Sequence, residues 1–136
     1  MYELFEHTAD LGLRARAADQ NALFAEIAKC LMTAMLENIE AIRPDTEVRI
    51  AIDGTDGEYL LFDWLRELLL RFESDRLLFS RFEVEIRGTG LTASAWGEPF
   101  DPARHVLSHE VKAITYHELK VEKTDDGWLA EAIVDI

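Results

Sequence analysis

Through most of this chain apolar and polar residues alternate one for one, and only two stretches abandon that rhythm for a helical one. Leu11, Leu13, Ala15 and Ala17 alternate with Gly12, Arg14 and Arg16, and Val48, Ile50 and Ile52 with Glu47, Arg49 and Ala51. The same rhythm recurs in Phe82, Val84 and Ile86, in Leu91, Ala93 and Ala95, from Val111 through His117 to Lys123, and from Trp128 to Ile136. A period of two puts alternate side chains on one face of a strand, so each segment reads as half-buried sheet. Tyr2 to Glu6 alternates weakly and adds another, for about seven strands. Gly88-Thr89-Gly90 and Asp125-Asp126-Gly127 supply hairpin turns between them.

The two exceptions are helices. Asp19 stands where a cap belongs, and Leu23, Phe24, Ile27, Leu31, Met32 and Met35 recur at three- and four-residue spacing up to a stop before Arg43-Pro44. Cys30 lies inside this helix and reads as a small packing residue. The second helix spans about Glu58 to Ser74. Leu60, Leu61, Trp64, Leu65, Leu68, Leu69 and Phe72 cover a wide arc, which makes it the more deeply buried of the two in expectation. Glu67 and Arg71 form a favourable pair on its wet side. The acidic turn Asp53-Gly54-Thr55-Asp56-Gly57 before it lacks the alternating ligands and closing glutamate of a calcium loop. Gly97 to Pro102 breaks the alternation and opens a loop of about a dozen residues, a length often associated with function. Two helices on a mainly antiparallel sheet give an α+β fold in one domain, residues 1–136.

Composition bears mainly on partners. A chain of 136 residues buries roughly two-thirds of its unfolded surface and needs no staple to fold. Cys30 has no partner for a disulfide, no apolar run reaches the length of a membrane helix, and the acidic first residues are unlike a secretion signal. The expected location is cytoplasmic, without membrane attachment. Lys+Arg 14 against Asp+Glu 27 gives a net charge of −13, which repels phosphate backbones and argues against tight direct nucleic-acid binding. It favours basic protein surfaces or metal cations as partners, unless the acidity serves only solubility.

Three polar concentrations can carry chemistry: His7-Thr8-Ala9-Asp10, the loop from Arg104-His105 to His109-Glu110-Val111-Lys112, and Asp135-Ile136. Asp10 taken alone is an ordinary turn carboxylate. Asp135 ends an alternating strand, and with Asp10 and the Ile136 backbone it offers oxygen ligands suited to a hard divalent cation. His7 is expected to bond the turn in place. His105 and His109 have zinc-like spacing but flank a loop with no further ligands, Ser108-His109-Glu110 lacks a strained nucleophile turn, and Glu110 and Lys112 read as a surface ion pair. A stand-alone metal-dependent hydrolase would use the Asp10 and Asp135 carboxylates with His7 or His105 as base.

Taken together, His7-Thr8-Ala9-Asp10, Gly97-Glu98 with the acidic proline loop after it, Glu110-Val111-Lys112-Ala113-Ile114-Thr115-Tyr116-His117 and Val134-Asp135-Ile136 resemble the archease family. The helix carrying Leu60-Leu61-Phe62-Asp63-Trp64-Leu65-Arg66-Glu67-Leu68-Leu69 is similar to that family as well. The resemblance implies a two-layer α+β fold with an inserted strand-helix-strand-strand unit. It also implies an accessory protein, not an enzyme, whose partner is the RNA-splicing ligase that joins 3′-phosphate or cyclic-phosphate ends to 5′-hydroxyl ends in tRNA splicing and RNA repair. Archease promotes guanylylation of the ligase histidine and multiple turnover. The family's metal site corresponds to Asp10, Asp135 and Ile136, for Ca²⁺ foremost and otherwise Mg²⁺ or Mn²⁺. Its ligase-activating residues correspond to Asp10, Arg104, Glu110 and Asp135.

Overall fold

The computed structural model describes all 136 residues as eight strands and two helices. Strands β1 (Tyr2–His7) and β2 (Asp10–Ala17) form a hairpin, and helix α1 (Gln20–Met35) follows. Then come β3 (Thr46–Asp53), α2 (Gly57–Asp75), β4 (Leu77–Arg87) and β5 (Gly90–Pro99), and finally β6 (Ala113–Ile114), β7 (Lys120–Thr124) and β8 (Gly127–Asp135). One sheet runs β1-β2-β8-β6, with β7 also on β8, and a second runs β3-β5-β4. Every pairing is antiparallel. The strand-helix-strand-strand unit is β3-α2-β4-β5, which carries its own sheet between β2 and β6 in chain order.

The caps form as their sequences require. Asp19 accepts the Ala22 amide at 2.8 Å and starts α1, and Asp56 accepts the Glu58 and Tyr59 amides at 3.0 and 3.1 Å to start α2. Within the acidic turn Asp56 thus serves as a helix cap. Glu67 and Arg71 meet at 3.0 Å. Cys30 is fully buried, its thiol against the Glu3 carbonyl at 3.3 Å, and burial pushes its pKa up to about 12. The core is one apolar cluster spanning both sheets and both helices. Inside it the Trp64 indole donates to the Phe24 carbonyl at 3.0 Å and ties α2 to α1.

Four expectations need correcting. The more deeply buried helix is α1, because it packs on β1, β2 and β8 of one sheet and on β4 of the other. Its hydrophobic stripe looked narrower only because Ala28, Cys30 and Ala34 are small residues that let strands approach. Helix α1 also ends earlier, at Met35, and a single 3-10 turn at Ile39–Ala41 leads toward the proline. The expected strand from Val111 to Lys123 is two strands separated by a turn in which Glu118 takes a left-handed φ of 52°. Lastly, Gly97 and Glu98 belong to β5, where Gly97 pairs with Phe79 across a bulge. A Cβ on Gly97 would meet the Leu78 carbonyl oxygen at 1.7 Å, so this close backbone approach admits only glycine.

Candidate functional site

Strand register assembles the site. Asp10 faces His7 at the mouth of the first hairpin, whose turn is closed by Ala9 at φ 61°. The β2–β8 ladder reaches Leu11 opposite Val134, so one step further out Asp10 lies beside Asp135. On the far side of β8, Asp135 pairs with Ala113 and its carbonyl accepts the Lys112 amide at 2.8 Å. One end of the sheet therefore lines up His7, Asp10, Asp135 and Ala113 across four strands. Leu11, Leu13 and Val134 face the helices, and Asp10 and Asp135 have the opposite parity. Asp10 is half-buried and Asp135 exposed, with the Ile136 backbone next to it. Two carboxylates and peptide oxygens are donors that fit a hard divalent cation.

Just inside this end, the Phe5 ring lies on Gly12, where a Cβ would come within 2.2 Å of it. Gly12 thus makes room for the Phe5 ring on the outer face. The Arg14 guanidinium stands 4.3 Å from the same ring and binds Glu3 at 2.9 Å and Glu131 at 2.5 Å.

The second polar concentration is built differently. Glu98 is 7% exposed, yet its carboxylate is saturated. Its Oε2 accepts the Arg43 amide at 2.7 Å and lies 3.0 Å from His105 Nε2, while Oε1 accepts the Arg104 guanidinium. The Asp101 amide donates to His105 Nδ1 at 2.9 Å, which leaves the ring proton on Nε2, directed at Glu98. Burial pushes the Glu98 pKa up, but the Arg43 amide, Arg104 and His105 together outweigh it and hold the carboxyl below the ordinary range. Arg104 also reaches Asp101 at 3.4 Å and donates to the Ala41 carbonyl at 3.0 Å. Its own pKa is raised, chiefly by the Glu98 hydrogen bond.

Among the residues singled out from sequence, Asp10, Asp135 and Ile136 come together at the sheet end. Arg104 is committed to the loop knot instead. Glu110 is exposed on the rim of a cavity with His109 and Lys112, and no ion pair joins it to Lys112. It sits three residues before Ala113, the start of the strand that pairs with Asp135. His105 and His109 do not converge, since His105 binds Glu98 and His109 lies against the Ala34 carbonyl at 3.2 Å. His7 does not bond its turn. Its Nδ1 is buried with no hydrogen-bond partner, 3.9 Å from Asp10, and its Nε2 is 3.2 Å from Glu118. His117 packs edge-on against it with ring centroids 5.3 Å apart. Alternation makes His117 and Glu118 read as strand residues, so periodicity does not mark them as a site. The turn that carries them back to His7 exists only in the folded chain.

Known proteins share this fold. The archease protein family (MTH1598/TM1083) matches residues 2–136. The chain belongs to the archease family. The protein archease of Methanopyrus kandleri is 44% identical over 139 residues, covering 99% of each chain. The solution structure of Methanobacterium thermoautotrophicum protein 1598 superposes with a TM-score of 0.88 at 33% identity, over 99% of this chain and 98% of that one. The crystal structure of a Thermotoga maritima archease, described as a possible chaperone, has the same fold with a TM-score of 0.59 at 23% identity, covering 100% and 98%. No helix of this archease is long and apolar enough to cross a membrane.

Proposed function

We propose that this archease is an accessory protein of the RNA-splicing ligase, promoting guanylylation of the ligase histidine and repeated turnover in tRNA splicing and RNA repair. The observation that carries the proposal is the alignment of Asp10 with Asp135 at one exposed sheet end, the positions at which the family places its metal site. A divalent cation there, Ca²⁺ before Mg²⁺ or Mn²⁺, supplies charge that stabilises phosphate oxygens. The chain's own part is to hold that cation on Asp10, Asp135 and the Ile136 backbone. Glu110 lies in the loop ahead of β6 and faces solvent, where it is free to meet a partner. Arg104 acts in this reading by fixing the loop that leads to Glu110. A net charge of −13 steers the protein toward a basic, RNA-binding ligase.

A self-sufficient hydrolase finds less support, since of the two histidines that could serve it as base His105 is bound to Glu98 at 3.0 Å and His7 Nδ1 stands 3.9 Å from Asp10. The test is a ligation time course with the cognate ligase and excess RNA. Wild-type protein should raise both histidine guanylylation and turnover, and Asp10→Asn or Asp135→Asn should return them to the unstimulated rate. Stimulation that survives both substitutions would overturn the reading. So would RNA or nucleotide turnover by this protein alone.

A further inference from the structure

Beside the oxygen site lies a nitrogen-rich one. His7, His117 and Glu118 each bring one ligand atom to a common point, all three within 4.8 Å of one another. His7 Nε2 and Glu118 Oε2 are 3.2 Å apart, and His117 Nε2 and Glu118 Oε1 are 3.8 Å apart. Ligands at 2.0–2.2 Å from a tetrahedral ion stand about 3.3–3.6 Å from each other, so the pre-assembled group needs only side-chain adjustment to close. We infer that His7, His117 and Glu118 form a binding site for a borderline transition-metal ion of the Zn²⁺ class, distinct from the Asp10/Asp135 oxygen site.

Three observations support it. Two imidazoles and one carboxylate are the donor set of open zinc sites, whereas Ca²⁺ and Mg²⁺ prefer oxygen alone, so the two neighbouring sites sort ions by chemistry. The unpartnered, buried Nδ1 of His7 faces Asp10 at 3.9 Å. An ion on Nε2 fixes the ring proton on Nδ1, and a short approach to the Asp10 carboxylate then satisfies both groups in the arrangement typical of metal-bound histidine. Finally, Glu118 holds a left-handed φ of 52°, disfavoured for a residue with a Cβ, in the conformation that brings its carboxylate to His7. His117 and Glu118 are exposed, so an ion has direct access. Occupied, the site staples the end of β1 to the β6–β7 turn and orients Asp10. The inference does not depend on the ligase reading.

The test uses the full chain, stripped of metal with a chelator and titrated with Co²⁺ and then with Zn²⁺. One Co²⁺ per chain should bind with the intense visible bands of a four- or five-coordinate imidazole site, and Zn²⁺ should displace it. His117→Gln and Glu118→Gly should each weaken binding at least tenfold, Asp10→Asn about tenfold, and Asp135→Asn and His109→Gln not at all. Glu118→Gly also separates binding from folding, because glycine relieves the left-handed backbone. Its metal-free melting temperature should hold or rise while the Zn²⁺-dependent rise disappears. The inference fails if the wild type takes up no Co²⁺ at ~100 μM, above any specific structural affinity. It also fails if His117→Gln and Glu118→Gly bind as tightly as wild type, or if Asp135→Asn abolishes binding.

Discussion

The knot around Glu98 and the sheet end around Asp10 are both polar clusters in a protein with one apolar core, and they are satisfied in opposite ways. Glu98 receives Arg43, Arg104 and His105, and His105 in turn receives Asp101, so the knot has no open valence. At the sheet end His7 Nδ1 lacks any hydrogen-bond partner, and the Asp10 and Glu118 carboxylates lie 3.9 and 3.2 Å from the two nitrogens of that one imidazole. A buried charge with every lone pair engaged fixes architecture, here the path of the long loop from β5 to β6. Converging acceptors left without donors are a place for something the chain does not supply.

Substitutions should separate the two. The largest effect is expected at Glu98→Ala, which strands His105 and the Arg43 amide in a buried position. Urea unfolding should show a loss of about 3–5 kcal/mol, and a loss near zero would mean that the knot is not structural. Acid should act through the same group. Because the folded pKa of Glu98 is lowered, its contribution is complete above the unfolded carboxylate value of about 4.3 and is lost as pH falls through the folded value. The stability gap between wild type and Glu98→Gln should therefore be flat at neutral pH and close only below about pH 4.

Arg104→Lys should come next. Lysine keeps the charge but loses the fork that spans Glu98, Asp101 and the Ala41 carbonyl, so the melting temperature should fall by less than for Glu98→Ala. Any loss of ligase stimulation should track that fall across a temperature series. A loss at full stability would move Arg104 from the scaffold to the contact surface. The smallest stability change is expected for Asp10→Asn, within about 0.5 kcal/mol in the absence of metal, since the Asp10 carboxylate accepts no hydrogen bond and its one ion-pair contact, to His7, is long at 3.9 Å. What Asp10→Asn should abolish is the Ca²⁺-dependent rise in melting temperature, readable by calorimetry with and without chelator.

Much of this was legible in the residues alone. Period two and period 3.6 are set by backbone geometry, so strands, helices and the α+β class follow from where Leu, Val, Ile and Phe recur, and Asp19 marks the start of the first helix. The four motifs at both ends and the middle lead to the family, and the pairing of Asp10 with Asp135 and Ile136 as oxygen ligands is an expectation of the residues themselves. What failed had a common cause. Local pattern puts α2 above α1 because it counts large side chains, whereas burial depends on how many sheets a helix touches. His117 and Glu118 kept a strand-like alternation although a left-handed residue turns the chain between β6 and β7.

The sequence by itself determined the elements, the charge and the family, because those depend on neighbours a few residues away or on the total. Only the tertiary structure decided which polar residues are partners. Register across β1, β2, β8 and β6 brings His7, Asp10, Asp135 and Ala113 to one edge, and the β6–β7 turn adds His117 and Glu118. Those residues lie at opposite ends of the chain, and no local periodicity encodes a contact that depends on closing the whole sheet.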